Sequence, residues 1–390
     1  MTNQNSKYDY ILVGGGLQAG LLALAIDHHK PQSRVLLIEK NDWLFGNHTW
    51  SCHETDIPET VGWLEPIAYR QWPAYTVKFP KFEQRINMAY RSFSSDQLAS
   101  AVQQIASRGK LEIRTRTSVA KVGNKLLTTD NGETLEAVTV IDCRGDRRDQ
   151  LSNCGFQKFH GFEVKLDRDW PDPLPVLMDA TMDQQNGFRF LYVLPLSKRR
   201  VLIEDTYFSD SSTLDRQDSL SLIQDYLAER SITQWSISRE ERGCLPMPFD
   251  ASMKPSASSP LRGGFCGGWF HAATGYSLPL AVRFADTIAT SPAGQVDQQI
   301  LRLAKQNMFQ AGFSRFLNRL LFQLVSPRNR FQVFRRFYRA LPDETIKRFF
   351  AHQFTKSDAA RILIGSPPRG LTPFRFLNSF KANSCPTTPH

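Results

Sequence analysis

Two carboxylates stand side by side in an apolar run, Leu202-Ile203-Glu204-Asp205-Thr206-Tyr207. An ionised acid is costly in such surroundings unless it is paired or used, so the run marks either an ion pair or a working group. As a strand, it sends Glu204 with Leu202 and Thr206 to one face and Asp205 with Ile203 and Tyr207 to the other, and only one of the two can face a cavity. A carboxyl kept protonated by apolar neighbours is a general acid. A solvated strand face is the competing reading, and Glu204 and Asp205 both stand as candidate catalytic groups. A second pair, Glu240-Glu241, ends a strand before a turn marked by Gly243, Pro246 and Pro248, where acids serve as structural partners. His48, Cys52 and His53 look like ligands, but their spacing matches no metal pattern and no metal is expected.

Glycines carry the second kind of chemistry. Tyr8 to Val13 is a short apolar run ending in Gly14-Gly15-Gly16-Leu17-Gln18-Ala19-Gly20, a helix follows through His28, and a second strand, Arg34 to Ile38, ends at Glu39. Gly14 and Gly16 let the backbone turn tightly and approach a pyrophosphate, while the helix starting near Leu17 points its positive end at that group. Ala19 takes the third fingerprint position, a tolerated variant, and Glu39 can accept hydrogen bonds from ribose hydroxyls. Strand, glycines, helix, strand and terminal acid in this order indicate a dinucleotide site at Gly14, Gly15, Gly16, Leu17, Ala19 and Glu39. Val138 to Asp142 is a returning strand whose end, Asp142-Cys143-Arg144-Gly145, approaches the cofactor again or is an ordinary strand-end turn.

A strand, a glycine turn and a helix N-terminus occur once more in Gly263-Gly264-Phe265-Cys266-Gly267-Gly268-Trp269-Phe270-His271, Ala273-Thr274-Gly275-Tyr276-Ser277 and the helix through Thr290. This places Gly267, Gly275, Tyr276 and Ser277 against the flavin or the pyrophosphate of FAD. No nicotinamide site of comparable quality accompanies it, so FAD is favoured over NAD as the tight cofactor.

These residues require an α/β frame: an FAD/NAD(P)-binding Rossmann-like domain of glutathione-reductase type, an antiparallel sheet forming a substrate domain, and a C-terminal helical region. The expected segments are 1–150 and 256–300 for the cofactor domain, 151–255 for the substrate domain, 301–380 for a helical, membrane-facing region and 381–390 for a flexible tail. Residues 41–72 read as irregular, 97–107 as a helix and 111–117 as a strand. Val176 to Met182, Phe188 to Leu196 and Arg200 to Phe208 read as a meander with a hairpin turn at Asn186-Gly187, floor to a cavity. Asp215 to Glu229 reads as a helix and Ala251 to Pro260 as a linker.

A chain of 390 residues, 41% hydrophobic and 22% charged, suits a soluble globular protein of two or three packed units. No run reaches the roughly 18 to 20 apolar residues of a membrane span, and the polar start Met1 to Asp9 is no signal peptide. Six cysteines without CxxC pairs fit reduced thiols in the cytoplasm. Residues 301–390 hold 16 of the 48 Lys and Arg, 3 of the 38 Asp and Glu, and 13 of the 27 Phe. That interleaving fits a membrane surface on the cytoplasmic side. No recognition fold supports nucleic-acid binding instead.

Four long stretches go further. Gly46-Asn47-His48-Thr49-Trp50-Ser51, the run from Met178 to Gly187, Ile203-Glu204-Asp205-Thr206, and the run from Phe270 through Tyr276 to Pro279 resemble bacterial lycopene β-cyclases, in family order. The resemblance implies FAD held in reduced form as a non-redox partner, NAD(P)H as its reductant, lycopene and other acyclic carotenes as substrates, and an essential acid at Glu204. Where many relatives have His-Pro-Thr-Thr-Gly, this chain has His271-Ala272-Ala273-Thr274-Gly275, a less rigid backbone. Cyclisation needs a proton on a terminal alkene, attack of the neighbouring double bond on the resulting cation, and loss of a proton. Glu204 or the flavin would donate, with Phe190, Tyr192, Tyr207 and Trp269 as cavity liners whose π faces tolerate a cation. A flavin monooxygenase or prenyl-chain reductase is the alternative enzyme, disfavoured by Gly267-Gly268-Trp269 where monooxygenases carry Gly-Asp. A carotenoid- or flavin-storage protein would leave Glu204 unexplained.

Overall fold

The computed structural model describes residues 8–58, 61–145, 153–184, 187–251, 260–292, 294–365 and 371. Asn186 of the expected hairpin turn, residues 252–259 of the expected linker and the expected tail 381–390 lie outside them.

The first sheet orders its parallel strands Leu111–Arg114, Val35–Ile38, Tyr8–Val13, Thr134–Asp142, with Leu261–Arg262 added beside the last. Leu126–Thr129 and Val119–Val122 extend it in antiparallel fashion. The returning strand is longer than expected because its first half, Thr134–Ala137, alternates exposed and buried residues as it leaves the core. The strand expected over 111–117 stops at Arg114, as Arg116 has a positive φ of 53°. Helix Leu17–His29 is buried from Gln18 to Ile26, as an element covered on both flanks must be. Leu21, Leu22 and Leu24 share one core with Leu98 and Val102 of helix Ser95–Ala106 and with Leu280 and Phe284 of helix Leu278–Thr290.

The second sheet orders its strands Trp235–Pro248, Cys154–Leu166, Arg200–Ser209, Phe188–Ser197, Val176–Asp179, Tyr75–Phe79, Phe82–Ile86. All neighbours are antiparallel except Val176–Asp179 with Tyr75–Phe79. The expected meander is present, with its first strand ending at Asp179. Residues 75–86, expected inside the cofactor domain, belong here instead: Tyr75, Val77 and Phe79 alternate inward and the hairpin turns at Lys81, φ 60°. Residues 41–72 are less irregular than their composition suggests. Thr49–His53 and Arg70–Trp72 both pair with Tyr90–Ser94 in a third, small sheet, so their partner is distant in sequence.

The large sheet is covered on both faces. On one, Phe162, Val164, Leu191, Val201 and Ile203 pack against Ile223 and Leu227 of helix Arg216–Ala228. Asp215 caps that helix by accepting from the Gln217 and Asp218 amides. On the other face, Phe188, Phe190, Leu202 and Phe208 meet the C-terminal helices. The helices of this region are Val296–Gln306, Met308–Arg319, Arg330–Ala340, Asp343–Phe350 and Lys356–Leu363; Arg330–Ala340 and Asp343–Phe350 join that core through Tyr338 and Ile346, while Val296–Gln306 packs into the core of the first sheet. Phe334 stacks on Phe188 at 4.2 Å, and Phe331, Val333 and Phe337 also pack inward. Part of the aromatic content of the basic tail is therefore core: Phe322, Tyr338, Phe349 and Phe354 are buried, each worth about 1.5–3 kcal/mol, and Phe331, Phe334 and Phe337 are half-buried against them. Arg330 is buried with them. Its guanidinium donates to the Leu321, Phe322 and Phe208 carbonyls and to Asp210, fastening the tail to the end of strand Arg200–Ser209.

Candidate active site

Between the glycine turn, the inner face of the large sheet, the small sheet and the C-terminal helices lies a cavity of about 2210 Å³. Gly14, Gly15, Gly16, Leu17, Glu39 and Asp142 line it, as do Gly275, Tyr276 and Ser277 from the returning segment. Gly14 takes φ 98° and a Cβ there would stand 3.0 Å from the Arg144 backbone, whereas a Cβ at Gly16 would meet nothing within 4 Å. The turn is thus tight at its first glycine and open at its third. Glu39 accepts from the Gly15 amide at 2.7 Å and from both nitrogens of Asn41 at 2.9 and 2.8 Å, so its carboxylate first of all fixes the turn. Asp142 is paired by Arg144. Two expected cofactor residues do not reach the cavity. Ala19 is a core residue, and Gly267 is a packing glycine whose added Cβ would collide with the Arg262 carbonyl at 2.1 Å. The wall there is made by Gly264, Phe265 and Cys266.

Strand alternation divides the acidic pair as expected. Glu204 faces the cavity with Thr206 and Phe208. Asp205 does not: it is fully buried on the helix side, where Arg189 donates to both its oxygens at 2.8 Å and Ser219 donates at 2.7 Å. Asp205 is an ion-pair partner, and the expectation that it acts in catalysis is corrected. Tyr207 shares its face, under the Arg189 guanidinium at 4.8 Å with its hydroxyl donating to Asp218. Trp269 packs on Phe284 and donates to the Arg262 carbonyl. Neither lines the cavity, while Phe190 and Tyr192 do.

Glu204 belongs to a row running across four strands. Tyr192 and Gly161 are its register partners on either side, and Glu241 is the partner of Gly161 one strand further. A Cβ on Gly161 would lie 2.7 Å from Glu204 Cγ and 3.1 Å from Glu241 Cγ. The missing side chain is what lets two carboxyls from non-adjacent strands meet. Burial first, and then the charge of Glu241 and the hydrogen bond to it, push the Glu204 carboxyl well above the ordinary carboxylate range; Arg239 opposes this in part. Arg239 pairs with Glu241 at 3.0 Å and donates to Glu163, Asn47 and Thr49. Glu240, the other member of the second acidic pair, is held by Arg216 and His160. Next to Glu204, the Tyr192 hydroxyl reaches the small sheet, meeting Ser51 at 2.8 Å and Tyr90 at 2.9 Å. The arrangement is a buried carboxyl, pushed towards its protonated form, in a chamber with aromatic walls that opens onto a dinucleotide-type turn.

A sequence profile described as "Lycopene cyclase protein" matches residues 9–375. The chain belongs to the lycopene cyclase family. Similar relatives of this family include the lycopene beta-cyclase of Pantoea ananas, 38% identical over 371 residues covering 93% of this chain and 95% of the relative. Another is that of Pseudescherichia vulneris, 40% identical over 367 residues covering 92% and 94%. Among solved structures, a geranylgeranyl bacteriochlorophyll reductase-like protein from Thermoplasma acidophilum superposes with a TM-score of 0.59 at 12% identity, covering 91% of this chain and 95% of that one. The flavin-dependent brominase Bmp2 does so with 0.59 at 14%, covering 96% and 98%. The cyclase family is thus built on the fold of FAD-dependent oxidoreductases, as the glycine turns indicated.

The cyclase chain holds site residues that its sequence did not mark as such. From sequence Glu241 reads as a structural partner, because its contact with Glu204 depends on the register of strands distant in sequence and on Gly161 between them. Tyr90 and Ser51 come from the small sheet. A glycine in the middle of strand Cys154–Leu166 was the available signal, since such a glycine marks a close approach.

Proposed function

We propose that the chain is a lycopene β-cyclase, converting lycopene through γ-carotene to β-carotene, and other acyclic carotenes alike, by acid-initiated isomerisation. The observation that carries this reading is the protonated-acid geometry: Glu204, a carboxyl facing an apolar cavity, raised well above the carboxylate range by burial and by Glu241. Its proton adds to the terminal alkene, the neighbouring double bond attacks the resulting tertiary cation, and a proton leaves the new ring. No electrons are consumed, since substrate and product are isomers.

The residues present fit FAD: Gly14 holds the turn at positive φ, Gly16 leaves an open approach, and Gly275, Tyr276 and Ser277 face the same cavity. Gly14, Gly15, Gly16 and Leu17 would hold the pyrophosphate and Glu39 the ribose. Reduced FAD, kept so by NAD(P)H, supplies negative charge that stabilises a cation in a water-excluded site. Phe190, Tyr90 and Tyr192 wall the cavity, and burial with the nearby Glu204 raises the Tyr192 hydroxyl so that it stays neutral. Anaerobic incubation of lycopene with the protein, with and without reduced FAD, tests this. A cyclic product of unchanged mass, formed only with the reduced cofactor, is expected; a gain of oxygen or hydrogen would point to a monooxygenase or reductase on the same fold.

Removing the charge behind the acid should show in the pH profile. In Glu241→Gln the repulsion that raises Glu204 is lost and the Arg239 cation is less balanced, so Glu204 ionises at lower pH. The alkaline limb of the pH–rate profile should move to lower pH, with about tenfold less protonated acid for each unit of the shift. An alkaline limb that stays in place in this variant would detach the activity from the pair.

Access is proposed from a membrane surface on the cytoplasmic side. No helix among the described residues is long and apolar enough to cross a membrane. Leu363 and Leu371 are 45% and 43% exposed while also lining the cavity, and Ile364 between them is 71% exposed. With the tail's basic residues, this rim suits entry of a bilayer-dissolved polyene. Changing Leu363 and Ile364 to Ser should weaken co-sedimentation with anionic liposomes by about 1 kcal/mol each, roughly fivefold. Undiminished binding would remove the membrane contact.

A further inference from the structure

Ring closure ends with the loss of a proton, and a second titratable group of the cavity is placed to take it. His53 lines the cavity from the small sheet, is 3% exposed, and its Nε2 has no hydrogen-bond partner among the described residues. Its Nδ1 lies 3.1 Å from Asp56 Oδ2, which also accepts the His53 amide at 2.7 Å and the Tyr276 hydroxyl at 2.6 Å. With Nδ1–H turned to the carboxylate, Nε2 carries the lone pair. This is an orienting acid behind an imidazole whose other nitrogen is free, in a pocket made of the rings of Tyr90 at 5.1 Å, Phe350 at 4.9 Å and Tyr75 at 5.4 Å.

The position relative to Glu204 is fixed by two sheets. Tyr192 is the register partner of Glu204 in the large sheet, Tyr90 is the register partner of His53 in the small one, and the two hydroxyls meet at 2.9 Å. Acid and imidazole therefore stand on either side of one tyrosine pair, on the same cavity, as a donor and an acceptor serving two ring carbons separated by one atom would.

Resting on the cyclase reading, we propose that His53 is the general base that completes cyclisation and Asp56 its positioning residue. Glu204 gives a proton to the terminal alkene carbon, the second alkene forms the ring bond, and the cation comes to rest on the adjacent carbon. His53 Nε2 removes a proton from the neighbouring ring carbon, and the C–H electron pair becomes the ring double bond. One proton enters and one leaves, and no oxidant or reductant takes part. Because the base decides which proton is lost, it also decides where the double bond lies.

The test uses the full-length, flavin-loaded protein and two variants, His53→Gln and His53→Ala, with lycopene. The wild-type protein must give a cyclic product of unchanged mass; if it does not, the cyclase reading itself fails. With that activity present, His53→Gln should lose about 10²-fold in rate, within the range of general base catalysis. Flavin binding should be retained, and the residual product should contain rings with a displaced double bond. Added imidazole should restore rate in His53→Ala. A variant that keeps the wild-type rate and ring type overturns the proposal, as does a rate loss that goes with lost flavin binding, which marks a structural role. Asp56→Asn should lose less rate than His53→Gln and shift the ring type in the same direction.

Discussion

Glu204→Gln should lower the rate of ring formation by about 10³-fold, close to 4 kcal/mol of transition-state stabilisation, with flavin binding unchanged. The amide keeps the shape of the acid beside Gly161 and can still hydrogen-bond Glu241, but it has no proton acidic enough for an alkene. The same substitution has a thermodynamic signature. Glu204 is raised in the folded protein, so above its unfolded value of about 4.5 the folded chain binds one more proton than the unfolded chain. Its contribution to stability is therefore fully present below that value and is lost as pH rises towards the folded one. Glu204→Gln should flatten this fall. Urea midpoints from pH 4 upward, set beside single-turnover rates on lycopene, check both; unchanged turnover would sink the role of Glu204.

Its neighbour should behave in the opposite way. Asp205→Ala is expected to remove about 3–5 kcal/mol of stability, because it strands the Arg189 guanidinium, 17% exposed, and the Ser219 hydroxyl beneath helix Arg216–Ala228. Asp218 remains as a partner of Arg189 at 2.9 Å and limits the loss. Turnover per folded, flavin-loaded molecule should stay near that of the parent. A denaturant midpoint that does not move at constant slope would show that the pair contributes nothing, and a selective loss of turnover would return Asp205 to the chemistry.

The contrast between these adjacent residues shows what could be read in advance. Period-two alternation separated Glu204 from Asp205, and Gly14, Gly16 and the helix after them announced the cofactor turn, because both signals are local. The roles of Glu241 and Tyr90 are not legible, since each depends on the register between strands far apart in sequence; His53 and Asp56 are only three residues apart, and what the sequence hides there is that His53 faces the cavity. Gly267 and Ala19 misled for a related reason. Glycine and alanine serve close packing as readily as they serve a ligand, and only the collision at the Arg262 carbonyl for Gly267 and the full burial of Ala19 tell which. In the tail, composition does not separate the two uses of its residues: interleaved Arg and Phe suggest a surface throughout, whereas Phe334 and Phe337 pack against the core, Arg330 is buried, and Leu363 and Ile364 stay exposed.

That inward turn bears on biosynthesis. Phe188, Phe190, Leu202 and Phe208 are made long before Phe334 and Tyr338, the side chains that cover them. At about 5–20 residues per second, translation leaves that aromatic face bare on the ribosome for on the order of ten seconds. An uncovered aromatic face of this kind is prone to aggregate, so shortening the C-terminus should send the protein to inclusion bodies before it costs any catalytic group.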